Sequence, residues 1–73
     1  MRVPKEIMDQ FKSLLFINDK KDISDESSRK CLEFCKFQEK KYRRILYMGM
    51  VIEIRAYKRR LKLEKKQQQL LGK

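Results

Sequence analysis

Apolar residues near the start of the chain repeat at the spacing of one helix face. The residues at i, i+4, i+7 and i+8 are Ile7, Phe11, Leu14 and Leu15. Pro4 precedes them, and proline is favoured at the first helical position because its missing amide has no partner there. The pattern predicts a short amphipathic helix over about residues 4–16.

A polar segment follows this first helix. It is rich in Asn, Asp and Ser, whose side chains bond to nearby backbone groups and favour turns and caps. Ser24 or Asp25 can cap a second helix, and Asp25 and Glu26 add negative charge near the positive end of its dipole. We therefore predict a connection over residues 17–24 and a helical region that begins near residue 25.

The helical region is predicted to extend over about residues 25–66. It contains no proline, and Gly49 is its only glycine, so one long helix and two helices broken near Gly49 both fit. We favour a break or bend within residues 37–49. Residues 67–73 lack the spaced apolar residues of a packed face, and we expect this tail to fray unless a partner orders it.

Apolar residues in this helical region again recur every three or four positions. They are Cys31, Phe34, Cys35, Tyr42, Ile45, Leu46, Val51 and Ile52. The dense run 46–52 is the predicted packing site of the first helix, although its Met48, Met50, Val51 and Ile52 also suit a groove for a partner; we favour the core. The fold prediction is a single all-α domain over residues 1–73 with two or three helices, in which the short amphipathic first helix packs on a long basic second or third helix.

Charge is distributed unevenly along the 73 residues. Residues 1–35 hold seven basic and seven acidic side chains, whereas residues 36–73 hold 13 basic and three acidic ones, so the whole net charge of +10 lies in the second half. A positive field of this density attracts polyanions, either nucleic acid or an anionic membrane surface. A chain this short also buries only about 60% of its unfolded surface, so we expect it to depend on a partner.

Two basic blocks carry the excess charge, and they are the predicted RNA-binding residues. The first block is Lys36, Lys40, Lys41, Arg43 and Arg44, and the second is Arg55, Lys58, Arg59, Arg60, Lys62, Lys65 and Lys66. On a helix the second block would be basic around much of its girth, which suits contact with phosphates on several sides. Tyr42, Tyr47 and Tyr57 interleave with the blocks and are candidates for stacking on unpaired bases, with at least one of them expected in the core.

Several other kinds of site are disfavoured by the composition. The chain has no histidine and no Gly-rich phosphate loop, so we expect no enzyme, cofactor or metal site. Cys31 and Cys35 lie one helical turn apart and form either a redox pair or, as we favour, two small buried hydrophobic residues. No apolar run has the length of a membrane span and the amino terminus lacks a signal-peptide core, so we expect a soluble intracellular protein.

Among polyanions, RNA fits the pattern best. A membrane-surface helix needs bulky apolar residues opposite its basic face, and residues 53–69 offer few. A DNA-binding helix-turn-helix needs a short turn before a recognition helix, and no such turn is clear.

The segment 29–36, RKCLEFCK, runs basic, basic, small, aliphatic, acidic, apolar, apolar, basic. It resembles the signature of the eukaryotic large-subunit ribosomal protein family numbered thirty-six. The sequence FKSLL at 11–15 stands where that family has a short helix, EKK at 39–41 resembles its basic turn, and IRA at 54–56 resembles the start of its last helix. The similarity covers roughly residues 11–66.

The resemblance implies a shortened, divergent member of that family. Such a protein would be all-helical, pack on ribosomal RNA and neighbouring large-subunit ribosomal proteins, assemble in the nucleolus and act on cytoplasmic ribosomes. The residues themselves leave two alternatives open. One is a helical assembly subunit that docks a protein through its Met48–Ile54 surface, and the other is a ribosome-associated or DNA-binding factor with a basic arm.

Overall fold

The computed structural model describes the backbone of residues 2–71 and the side chains of residues 2–67. Within this part the chain forms three α-helices and no strand: α1 (Lys5–Leu15), α2 (Asp25–Lys36) and α3 (Lys40–Leu71). Helix α1 packs mainly against α2, and α2 packs against the first half of α3. The prediction of an all-α fold with two or three helices is confirmed.

Helix α1 follows the predicted amphipathic pattern. Phe11 and Leu15 are buried, while Ile7 and Leu14 are half-buried against the same core. Pro4 lies just before the first helical residue, and its carbonyl accepts a hydrogen bond from the Met8 amide at 3.1 Å. Proline therefore starts the helix without the loss of a backbone hydrogen bond.

The connection between α1 and α2 is organised by Asn18. Its Oδ1 accepts hydrogen bonds from the amides of Lys20 and Asp22, and its Nδ2 donates to Asp22 Oδ2 at 2.8 Å. Lys21 has a φ of 61°, in the left-handed region that favours glycine. Ile23 is buried, which the polar pattern of this segment did not predict, and it ties the connection to the core.

Helix α2 begins with a reciprocal cap. Ser24 is the N-cap: its Oγ accepts from the Ser27 amide at 3.0 Å, and the Ser24 amide donates to Ser27 Oγ at 2.8 Å. These bonds satisfy amide groups that have no partner within the helix. Cys31 and Cys35, one turn apart, are both fully buried, so α2 presents a narrow face of small side chains to its neighbours.

The break between α2 and α3 lies at residues 37–39, within the interval in which we favoured one. The backbone amides of Phe37 and Gln38 donate hydrogen bonds at 3.2 Å to the carbonyls of Phe34 and Cys35. These bonds close the last turn of α2. Gly49 does not break the helix, because it lies inside α3 next to the Phe11 ring.

The first half of α3 meets the core on one side only. Leu46 is buried and Met50 is half-buried, but Met48, Val51 and Ile52 are 57%, 47% and 61% exposed. The prediction that the whole run 46–52 belongs to the core is therefore wrong for these three residues. Apolar side chains surround α3 here, whereas α1 and α2 cover only one side of it.

The second half of α3 extends beyond the other helices. Tyr57 is the last residue that packs against the core, and all side chains of residues 58–67 are exposed. The helix continues to Leu71, beyond the predicted end near residue 66, and residues 72–73 of the predicted tail lie outside the described residues. Among the described helices, none combines the length and the apolar character needed to cross a membrane.

The substitution Gly49→Ala tests the position of this glycine within a continuous helix. An alanine Cβ would lie 3.7 Å from Phe11 Cζ, an ordinary contact distance. Because glycine in a helix interior costs about 0.5–1 kcal/mol relative to alanine, we expect Gly49→Ala to raise the free energy of unfolding by about that amount. Urea titration followed by circular dichroism measures the change.

The matched variant Gly49→Leu should act in the opposite direction. Its larger side chain has to displace the Phe11 ring, and overpacking of this kind costs about 1–3 kcal/mol. A loss of stability in Gly49→Ala would contradict the close but open contact described here.

Candidate nucleic-acid interface

All of the predicted RNA-binding residues are exposed on the surface. They divide by position into a corner block at the α2–α3 junction, made of Lys36, Lys40, Lys41, Arg43 and Arg44, and an arm block on the second half of α3, made of Arg55, Lys58, Arg59, Arg60, Lys62, Lys65 and Lys66. At about 1.5 Å per residue, Arg44 and Arg55 are separated by roughly 16 Å along the helix. The two blocks are therefore distinct surfaces.

The corner block is partly neutralised by Glu39. Lys41 Nζ lies 3.3 Å from Glu39 Oε2 and 5.0 Å from the centroid of the Tyr42 ring. The hydrogen bond and charge of Glu39 raise the pKa of Lys41 above its ordinary value, which keeps the ammonium group protonated. Because this pair is exposed, water and salt screen it strongly, and a phosphate can replace the carboxylate.

Arg43 is held in position at the corner. Its Nε donates to the Gln38 carbonyl at 2.9 Å, across the turn between α2 and α3. This bond uses only the Nε–H group of the guanidinium, whose terminal nitrogens carry the remaining donors. The corner therefore presents an oriented arginine beside the lysines of the first turn of α3.

The arm block is concentrated on one broad face of α3. At about 3.6 residues per turn, four of its cations fall on the side opposite the core: Arg55, Arg59, Lys62 and Lys66. Lys58 and Lys65 lie on the adjoining flank, near the line of Tyr47, and Arg60 and Glu64 lie on the other side. Six cations thus share one broad sector of the helix, and Arg60 extends the basic surface beyond it. Glu53 also lies on the core side, so the outer face of the arm carries no acidic residue.

Arg60 has a structural role that its side-chain type did not reveal. Its two terminal nitrogens donate to the backbone carbonyls of Lys20 and Lys21, at 2.8 and 2.9 Å. Its guanidinium carbon also lies 5.7 Å from the centroid of the Tyr57 ring. Arg60 therefore fastens the left-handed turn at Lys21 to α3, and no sequence signal identifies backbone carbonyls as the partners of an arginine.

The aromatic residues are arranged differently from the stacking platform considered above. Tyr42, Tyr47 and Tyr57 are half-buried and pack against the core. Phe37, which we did not predict as a site residue, is 87% exposed between Lys36 and the first turn of α3. The sequence could have predicted this exposure, because Phe37 follows the buried Cys35 by two positions and therefore does not share its helix face.

The two cysteines are buried as predicted. Cys31 Sγ donates to the Phe11 carbonyl at 3.7 Å, and burial, with a smaller contribution from Cys35, raises the pKa of the Cys31 thiol to about 12. Burial also raises the pKa of Cys35. Since the thiolate is the reactive form, both groups are inert neutral thiols at physiological pH. Among the described side chains, no three Cys, Asp or Glu residues are placed to hold a metal ion.

Comparisons with known proteins do not extend this description. No protein-family model, curated protein or solved structure matches the chain. Functional inference therefore starts from the exposed cations, the apolar residues beside them and their geometry.

The raised pKa of Cys31 predicts a dependence of stability on pH. In the unfolded chain the thiol ionises near its ordinary value of 9.0, whereas in the folded protein it stays neutral up to about 12. Between these two pH values only the unfolded state releases this proton. The free energy of unfolding should therefore keep its full value below about pH 9.0 and fall as the pH rises from there toward about 12. Urea titrations at a series of pH values measure the fall.

The variant Cys31→Ser is the control for other groups that titrate in the same range. Serine does not ionise there, so the fall with pH should be shallower in the variant than in the parent. An identical pH dependence in both proteins would show that Cys31 is not the group responsible.

Proposed function

We propose that this protein binds RNA phosphates through the outer face of α3, as a structural component of the large ribosomal subunit. One observation carries the proposal: the arm presents six exposed cations on a single face that bears no acid and touches no other helix. An ordinary solvated helix alternates the signs of its charges, and this surface does not. A surface of one sign on an extended helix matches the uniform negative charge of a nucleic-acid backbone.

The free energy of such binding comes mainly from the release of counterions condensed on the RNA. Lysines act as mobile point charges, and arginines such as Arg55 and Arg59 add planar groups with several donors to phosphate oxygens. These contacts position the protein on the backbone without reading bases. The resulting affinity should fall steeply as the salt concentration rises.

The corner block gives the protein a second point of contact. Lys36, Lys40 and Arg43 lie at the opposite end of the described cationic surface from Lys66, and exposed Phe37 lies among them. An aromatic ring next to cations suits stacking on an unpaired base. The corner and the arm would then hold two RNA segments, which favours a folded RNA over a single regular duplex.

The resemblance of residues 29–36 to the large-subunit family supports ribosomal RNA as that folded RNA. In the structure this segment forms most of α2, the helix that packs against both α1 and α3. Its role would be to hold the corner and the arm in fixed relation. Neighbouring large-subunit proteins are the corresponding protein partners in the proposal.

Charge reversal on the arm tests the RNA contact. Lys62→Glu combined with Lys66→Glu changes two exposed residues on the outer face, far from the core. We expect the variant to bind large-subunit ribosomal RNA at least about tenfold more weakly, with a salt slope reduced by about two. Filter binding over a series of salt concentrations measures both quantities.

The matched control reverses two lysines of the connection between α1 and α2, which adjoins Arg60 on the core side of α3. Lys20→Glu combined with Lys21→Glu changes the net charge equally, and Arg60 contacts only the backbone carbonyls there. The control should retain most of the affinity. Equal losses in both variants would mean that net charge, and not the arm, determines binding.

The ribosomal assignment is tested in the cell. Native lysates are fractionated on sucrose gradients at low and high salt, and the protein is followed by quantitative mass spectrometry. We expect one copy per large subunit that survives the high-salt wash, as for a protein embedded in ribosomal RNA. Absence from that peak, or loss at modest salt, would reject the ribosomal assignment while leaving the RNA contact to be judged by the binding assay.

A further inference from the structure

The outer face of α3 carries an exposed apolar strip between the two basic blocks. It consists of Ile45, Met48, Val51 and Ile52, which are 39%, 57%, 47% and 61% exposed. These positions lie within about two helical turns and share the side of α3 opposite the residues that pack against the core. Four adjacent aliphatic side chains form a patch that RNA phosphates cannot cover.

The ends of this strip are cationic. Lys41 and Arg44 precede it on the same face and Arg55 follows it, whereas Glu53 lies on the core side of the helix. The strip therefore combines an apolar centre with positive charge at both ends along the helix axis. A complementary surface has an apolar centre with negative charge at both ends.

We propose that this strip is the docking site of an acidic amphipathic helix of a partner protein. A helix that packs across another at an angle covers only a few turns, which matches the length of the strip. Side chains at i, i+3 or i+4, and i+7 of the partner would fill it, and acidic residues at the ends of the contact would face Arg44 and Arg55. The partner helix would use Arg44 and Arg55 from the two basic blocks, and it would leave the more distal cations Lys62, Lys65 and Lys66 to RNA.

The charges disfavour the other occupants. In a two-fold antiparallel dimer on the strip, the cations near Arg44 of one copy would approach those near Arg55 of the other, and this like-charge contact is unfavourable. A membrane-bound helix keeps its charges to the sides of the apolar face. Here Arg55 and Arg59 lie within the angular range of the strip itself, so a bilayer would have to bury them.

The experiment selects partners from a defined probe, a displayed library of helix-forming peptides. Surface positions of the peptides carry Glu, Lys or Gln at equal frequency, and the other positions carry Leu, Ile, Ala or Ser. Full-length protein at physiological salt is the target. We expect selected peptides to combine a short apolar face with Glu at both ends, and their affinities are then measured by fluorescence anisotropy.

Variants locate the binding site. Met48→Ser combined with Ile52→Ser should weaken the selected peptides by at least about tenfold, as for the centre of an interface. Leu63→Ser is the matched control, because Leu63 is 57% exposed but lies outside the strip. Arg44→Glu should shift the selected charge at one peptide end from Glu to Lys, a gain that a merely unfolded variant cannot produce.

Other outcomes would overturn the proposal. In the peptide selection, these are peptides without a preference for acidic ends, or equal binding of selected peptides to the parent and to Met48→Ser/Ile52→Ser. The proposal would also fail if the protein bound vesicles of phosphatidylserine and phosphatidylcholine only when Met48 and Ile52 were present. The same holds for a dimer seen by analytical ultracentrifugation that Met48→Ser/Ile52→Ser abolishes. RNA affinity measured on Met48→Ser/Ile52→Ser and on Leu63→Ser should stay within about twofold of the parent protein, whereas Arg44 belongs to the corner block and its variant serves only the peptide selection. A failure of docking and a failure of RNA binding are thereby separated.

Discussion

The packing of α2 between its two neighbours is the constraint on which the rest of the structure depends. Helices α1 and α2 have 11 and 12 residues, lengths at which an isolated helix is marginal in water. Their stability comes from the buried contacts of Phe11, Leu15, Cys31, Cys35 and Leu46. The small thiol side chains of Cys31 and Cys35 on α2 let the helices meet closely around so few core residues.

The local elements follow directly from the sequence. The spacing of Phe11 and Leu15 predicted α1, Ser24 predicted the start of α2, and the buried cysteines follow the same helical period. These features depend on residues within one or two turns of each other. Backbone propensity, capping and hydrophobic periodicity are all properties of that range.

The features that the sequence did not predict depend on contacts between distant segments. Whether Met48 and Ile52 are buried depends on how many helices surround α3, and the helical period alone contains no such information. The bonds from Arg60 to the carbonyls of Lys20 and Lys21 join residues about forty positions apart. The helical period already grouped most of the arm cations on one side of α3, but which side faces away from α1 and α2 follows only from the packing of the helices.

Helix α3 brings three surfaces into a fixed order. The corner with Phe37 and Lys36 comes first, the apolar strip follows, and the cationic arm comes last. Its Gly49 contact with Phe11 and the Arg60 bonds to the connection hold the inner side of the helix to the body of the protein. If RNA and a partner helix both bind, they would meet at Arg44 and Arg55, the two residues where the basic blocks border the apolar strip.

The extension of α3 beyond Tyr57 couples the shape of the arm to its ionic surroundings. Its cations repel one another along the helix, and none of the described side chains beyond residue 57 is buried to offset that repulsion. Added salt therefore favours the helical form of the free arm, although it weakens contact with a polyanion. If phosphates neutralise the arm, they also favour its helical form, so that affinity and helix content become thermodynamically linked and the dissociation constant includes the free energy of ordering the helix.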